Sequence, residues 1–395
     1  MVTIFAAAAA IAAASAVTAL AVGGAQPPPR PLAGAIHESL AGGAVAGVSA
    51  DVTFTDNLIA SANVGAGPSG LGSGSPLLSG ASGRLWISAD GRLRLELQAV
   101  HGDTEILVSH DTAMLEDVAA NTVYEIALPK RSSSDAPQSG PTGATGVPTV
   151  SAIQQALTRL MGAVNVSAAT PTNVGGAPAY SVTISPKHPA GLLGEAVLAW
   201  DAQHAVPLDV AIYATGNSTP VLELRATSVN FGPVQPSVFA ISPPPGAHVV
   251  QISPQGAAAA SSGTGAAHHL VVATGVTAVS AALPFSLDAP ASLGGLQRDH
   301  VAALDWNGKL SALARYGQGL GSVAVVEFQA GAHNGTGGAG GGLLGSLPHV
   351  SLGDVTASEL PTALGTVIEF TRGGVDYVVA GFVGPAAVEA VARGL

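Results

Sequence analysis

The chain has 395 residues, 47% hydrophobic and only 10% charged, which is enough apolar mass for a sizeable core and argues against wholesale disorder. Fourteen basic against 25 acidic side chains leave a net charge of −11, which argues against a nucleic-acid groove, since that needs clustered lysine and arginine. With no cysteine, the sequence excludes disulfides, thiolate zinc sites, cysteine nucleophiles and a lipidated N-terminal cysteine.

Val2 to Ala25 form one uncharged, alanine-rich apolar run that ends at the stiff breaker "QPPPRP". Small residues at Ala19-Leu20-Ala21 and Gly23-Gly24-Ala25 suit a secretory cleavage site, and the length also suits an uncleaved membrane anchor or a buried helix. Residues 1–25 are therefore expected to be a signal peptide or an N-terminal anchor, with the body exported to the cell envelope. Leu32, Ile36 and Leu40 then have helical spacing, predicting a helix over 32–47.

Alternation dominates from there. Val52 and Phe54 alternate with Thr53 and Thr55, and 61–80 is a Gly/Ser/Pro loop. Leu85 and Ile87 face one way and continue onto Leu93, Leu95 and Leu97 across the Asp90-Gly91 turn. Further runs lie at Glu105–Val108 and Thr122–Leu128. The connector 129–148 ends at a Thr149 cap and a helix over 149–162, with Ile153, Leu157, Leu160 and Met161 on one stripe. A strand at Tyr180–Ile184, a hairpin over 195–214 turning at Ala202–His204, and a strand over 220–231 follow; "ISPPPGAHVV" is expected to stop the sheet because proline donates no ladder hydrogen bond. Such a meander twists and curls into a barrel or half-barrel, and the helices 32–47 and 149–162 are available to cover an apolar concavity. Residues 251–267 have the composition of a flexible linker. Residues 268–395 read as a smaller α+β unit with strands at 299–305, 310–316, 322–329, 366–371 and 375–382 and a closing helix from Pro385.

Chemistry is scarce. Gly335-Thr336-Gly337-Gly338-Ala339-Gly340 matches the dinucleotide glycine pattern in form, but it lies in a glycine tract that opens no helix. His268-His269 has no carboxylate partner nearby, His37-Glu38 lacks the second histidine of a zinc-protease helix, and no nucleophile elbow or phosphate loop occurs. No catalytic residue, metal ligand or cofactor is assigned. Arg84, Arg92, Arg94 and Glu96 share the polar face of the opening hairpin with Trp86; they read as a solvated face with cross-strand ion pairs or, alternatively, as a rim that meets anionic head groups.

The stretch "GRLWISADGRLRLELQAVHGDTEILVSHDTAMLEDVAANTVYEIALP" resembles the early strands of LolA-like lipoprotein-carrier proteins of actinobacteria, and "GEAVLAWDAQHAVPLDVAIYA" through "FAISPPPGA" continues the resemblance across 31–250. The C-terminal "LPTALGTVIEFTRGGVDYVVAGFVG" is similar to the small module that ends many of these proteins, and the two-part layout is similar to RseB-type periplasmic regulators. The resemblance implies an α+β fold: a predominantly antiparallel half-open β-barrel covered by helices, followed by a smaller C-terminal α+β domain. It implies a non-catalytic carrier or sensor holding a lipid or lipoprotein acyl chain or, alternatively, a regulator of a membrane-anchored anti-sigma factor. The matching strand positions Val52, Phe54, Leu85, Ile87, Leu93, Leu95, Leu97, Ile106 and Val108 are the expected cavity wall, with Trp86 at its rim.

Overall fold

The computed structural model describes residues 24–59, 76–100, 102–118, 121–128, 147–252, 271–306, 309–331 and 347–395. The apolar run up to residue 23, most of the 61–80 loop, most of the 129–148 connector, the linker after residue 252, His268-His269 and the glycine pattern at 335–340 lie outside the described residues.

The chain enters through α1 (Leu32–Ala41) and β1 (Gly47–Asp56), then a single turn α2 (Pro76–Ser79). Five strands follow: β2 (Ala81–Ser88), β3 (Leu93–Ala99), β4 (Gly102–Val108), β5 (Thr112–Asp117) and β6 (Thr122–Ala127). After α3 (Val150–Leu160) come β7 (Val164–Val166), β8 (Thr170–Val174), β9 (Ala177–Pro186), β10 (Leu193–Asp201), β11 (Pro207–Ala214), β12 (Pro220–Phe231) and β13 (His248–Ile252). These build one 13-stranded sheet, ordered β13-β6-β5-β4-β3-β2-β1-β12-β11-β10-β9-β7, with β8 on β9. It is antiparallel except for β13, which runs parallel to β6. The sheet coils, and the β8–β9 turn comes back against Ala226–Val229 of β12.

A nine-stranded sheet follows from β14 (Val271–Thr274), α4 (Val276–Ala282), β15 (Ser292–Leu293), β16 (Leu296–Trp306), β17 (Lys309–Tyr316), β18 (Val323–Gln329), β19 (His349–Ser351), β20 (Thr356–Pro361), β21 (Thr366–Arg372), β22 (Val375–Gly381) and α5 (Pro385–Ala392). Its order is β14-β16-β17-β18-β22-β21-β20-β19, with β15 on β16. Val279 of α4 and Val388 and Val391 of α5 close its core against Val301, Val325, Ile368 and Val379.

Three expectations change. α1 ends at Ala41, short of residue 47, where Gly42-Gly43 breaks the helix with Gly43 at φ +86°, and Val48 is already in β1. The prolines at 243–245 do not end the first sheet. They sit in the stretch that crosses it, and β13 rejoins beyond them, the His248 amide donating to Asn121 O at 2.9 Å and the Asn121 side chain to Gly246 O at 3.1 Å. The α3 stripe is not buried: Ile153 is, whereas Leu160 and Met161 are exposed, because α3 packs mainly on α1 and not on a sheet. Thr149 caps it as expected, accepting from the Ala152 amide. The β10–β11 turn is held by buried Asp201, whose carboxylate accepts from the Gln203 and His204 amides.

Candidate ligand-binding face

Between β1 and β6 the register runs without a bulge, so residues directly opposite one another share a face. One transverse row is Val48, Ile87, Leu93, Val108, Ala113 and Ile126. The next is Ala50, Leu85, Leu95, Ile106, Leu115, Tyr124 and, on β13, Val250. Val52 and Leu97 both lie opposite Gly83, and Phe54 lies opposite Ala81. Nine of the ten sequence-predicted residues are thereby on one face, and the tenth, Trp86, is on the other, paired with Ser49 and Arg94.

Exposure changes along the rows. Val52, Leu95 and Leu97 are buried, Leu97 to 1%, in a cluster with Val174, Ala179, Ala199, Leu208 and Ala226, because the coiled sheet brings β8–β11 over β1–β3. Phe54, Leu85, Leu93 and Ile106 pack against that cluster while partly exposed, and Ile87 and Val108 are also partly exposed. Outward from β4, Ala113, Leu115, Tyr124, Ile126 and Val250 stay partly exposed. The helices do not cover this half as expected. α1 seals the far end, Ala35 with Leu32 and Ile36 packing on Tyr180, Val182 and Trp200, while α2 places Leu77 against the leucine cluster. Ser39 of α1, fully buried, accepts from the Trp200 indole at 3.1 Å and fixes that contact.

The opposite face of the same strands is occupied. The chain leaving β12 crosses it, Arg94 donating to Val238 O at 2.9 Å and the Arg92 guanidinium lying 4.8 Å from the centre of the Phe239 ring. Met114 and Val123, on this face, are buried. The hairpin arginines are also engaged. Arg84 meets Asp51 at 3.1 Å, Arg92 meets Asp90 at 3.0 Å, and Arg94 bridges Glu96 and Glu105 while stacking over Trp86. Burial pushes the Glu105 carboxyl up, and Arg94 pulls the other way. This is the ion-paired reading of the polar face, and Trp86 lies beneath Arg94.

Two open hollows lie elsewhere on the first sheet and its N-terminal approach. One of ≈ 880 Å³ lies at the strand ends, lined by Phe54, Asn57, Ala81, Gln98 and Val100 among others. Another of ≈ 610 Å³ lies between the N-terminal prolines and α1, lined by Pro28, Glu38, Tyr180 and His204, where the Tyr180 hydroxyl donates to Pro28 O at 2.7 Å. No sequence signal marks the second, since its walls come from three distant segments. His37 Nδ1 contacts Pro148 O, and among the described residues no three acidic or histidine side chains group as metal ligands. No helix among them is long and apolar enough to cross a membrane.

No family model and no curated protein matches the chain. Among solved structures it is similar to the Pseudomonas aeruginosa MucA/MucB complex, at 14% identity over 91% of this chain and 96% of that chain with a TM-score of 0.42. It is also similar to a crystal structure of MucB, at 13% identity over 91% and 96% with a TM-score of 0.34. A third is a putative outer membrane lipoprotein-sorting protein domain from Vibrio parahaemolyticus, at 12% identity over 49% and 89% with a TM-score of 0.20. At TM-scores of 0.42 and below, these likenesses decide neither the fold nor the site of this chain.

Proposed function

We propose that this protein is an exported, non-catalytic carrier or sensor that lays an acyl chain of a lipid or lipoprotein across the apolar rows of its first sheet. In this reading the first sheet, which β13 carries to Ile252 and so two residues past the expected boundary at 250, forms a half-open barrel, the segment up to 267 a linker and 268–395 a separate module. The observation that carries the proposal is the pair of apolar rows, uninterrupted from β1 to β6 and partly exposed from β4 outward, on strands whose other face the chain itself covers. Five strands from β3 to β13 span about 19 Å at ordinary strand spacing, a length suited to an extended acyl chain. Each buried methylene contributes roughly 0.8 kcal/mol, so on the order of ten offset the roughly 8 kcal/mol of a micromolar complex before association entropy is counted. No polar recognition is needed for that.

The site is thus expected at the outer edge of the sequence-predicted wall and beyond it. Val52, Leu95 and Leu97 lie inward on the same face under β8–β11, and Ile106, Val108, Leu115 and Tyr124 meet the chain. Solvent extraction of the purified protein followed by mass spectrometry should recover acyl species, and a fluorescent fatty-acid probe should bind. Leu115→Glu should weaken the probe at least tenfold without unfolding the protein. A clean protein that refuses the probe sinks the proposal; if it also retrieves a membrane-anchored protein from a membrane fraction, the regulator reading takes its place.

A further inference from the structure

Among the described residues, the core of the second sheet contains one fully buried charged side chain. Glu327, on β18 between Ala312 and Tyr377, is fully buried. One carboxyl oxygen accepts from the Asp288 main-chain amide at 3.0 Å, and the other has no hydrogen-bond partner. Asp288 belongs to the stretch 283–291 between α4 and β15, which lies over the sheet with Leu283, Phe285, Leu287 and Ala289 packed on the core. The same stretch is held by the Tyr316 hydroxyl donating to Pro290 O and by Arg298 donating to Ala289 O. Its register on the sheet is set by these side chains and by the Arg298 main-chain amide, which donates to Ala291 O at 2.9 Å; of these groups Glu327 is the one that can change charge near neutrality.

We propose that Glu327 is a proton-operated latch: protonated, it pins the 283–291 strap over the second sheet, and ionised, it releases it. A buried carboxylate with one oxygen unpartnered is costly, while its neutral form is tolerated in an apolar core. The surrounding groups make ionisation harder still. Asp288 faces Glu327 from the strap, and Tyr316 on β17 and Tyr377 on β22 flank it, their hydroxyls pushed up to about 12 chiefly by burial. Arg372 acts on Asp288 and Tyr377, and Arg298 acts on Tyr316. Burial first, and the Asp288 charge with it, raise the Glu327 carboxyl to about 7, against the hydrogen bond from the Asp288 amide. With the closed-state value above that of the opened strap, the latch is strongest at low pH and weakens as pH rises through 7. Opening would bare Phe285 and Leu287 and the core beneath them, so the event turns a pH change into exposed apolar surface.

Hydrogen exchange of the 283–291 peptide in the full chain, corrected for the intrinsic pH dependence of exchange, tests this. Protection should fall about tenfold between pH 6 and pH 8, the ratio expected for one carboxyl moving between these two states. Glu327→Gln keeps an acceptor for the Asp288 amide without a charge and should hold its protection constant over that range. Glu327→Ala should lose protection at both pH values. A wild-type strap equally protected at pH 6 and pH 8, or a fall of the same size in Glu327→Gln, overturns the proposal.

Discussion

Arg94 shows how one side chain decides between two readings of a surface. Its guanidinium meets Glu105 at 2.9 Å, bridges Glu96, donates to Val238 O and covers the Trp86 ring, so little of it is left for a head group. Removing it should matter for folding and not for ligand. Arg94→Ala leaves the partly buried Glu105 carboxylate without its cation and should cost about 1–3 kcal/mol. The sign with pH follows from the Glu105 carboxyl, which burial already raises and which loses its opposing cation in the variant. A group raised in the folded state stabilises least when ionised, so the deficit should be larger at pH 8 than at pH 5. Denaturant melts at both pH values, with probe affinity measured alongside, check this; a variant of normal stability that loses the probe would restore the rim role. The pairing of Arg84, Arg94 and Glu96 on one face was legible in the sequence from strict alternation. The return of Val238 and Phe239 over them was not, because no local pattern says where a proline-rich segment will land.

At the scale of elements, α3 separates pattern from packing. Its apolar spacing is as good as that of a core helix, but only Ile153 is buried, and Leu160 and Met161 face solvent. Periodicity records which side chains share a face, and burial needs a partner for that face. Ile153→Ala should therefore cost about 2–4 kcal/mol, whereas Leu160→Gln should stay within about 0.5 kcal/mol, both read from thermal or urea melts. A large loss from Leu160→Gln would mean that this face is covered. The strands show the converse. β2 and β3 announce themselves by alternation, while β5, "TAMLED", and β13, "HVVQI", are too short and mixed to stand out and become strands by pairing with β4 and β6. Those two supply Leu115 and Val250, which carry the apolar row beyond the residues that the sequence singles out.

For the whole molecule, the two sheets meet through backbone. The Leu192 amide donates to Phe382 O at 2.6 Å and the Ala363 amide to Leu58 O at 2.8 Å, so the loops beside β10 and β1 both grip the second sheet. Gly191 sits in that joint where a Cβ would lie 2.5 Å from Phe382 O and 2.6 Å from Leu320 O, both main-chain atoms that cannot swing aside. Gly191→Val should push the sheets apart while leaving each core intact. The expected result is a larger radius of gyration in solution scattering and faster proteolysis between the sheets, with a melting temperature close to wild type. An unchanged scattering profile would show that the joint has slack.

The sequence by itself determined the sheet-rich composition, the division into two strand-rich regions and the side of β2 and β3 on which the leucines stand, because a two-residue period is a local property of an extended chain. Only the tertiary structure decided what that side does. Coiling brought β8–β11 over Val52, Leu95 and Leu97 and buried them, and the crossing after β12 occupied the far face. The partly exposed apolar surface was thereby left to β4, β5, β6 and β13. Burial is a property of pairs of distant segments, and neither alternation nor composition contains the second member of the pair.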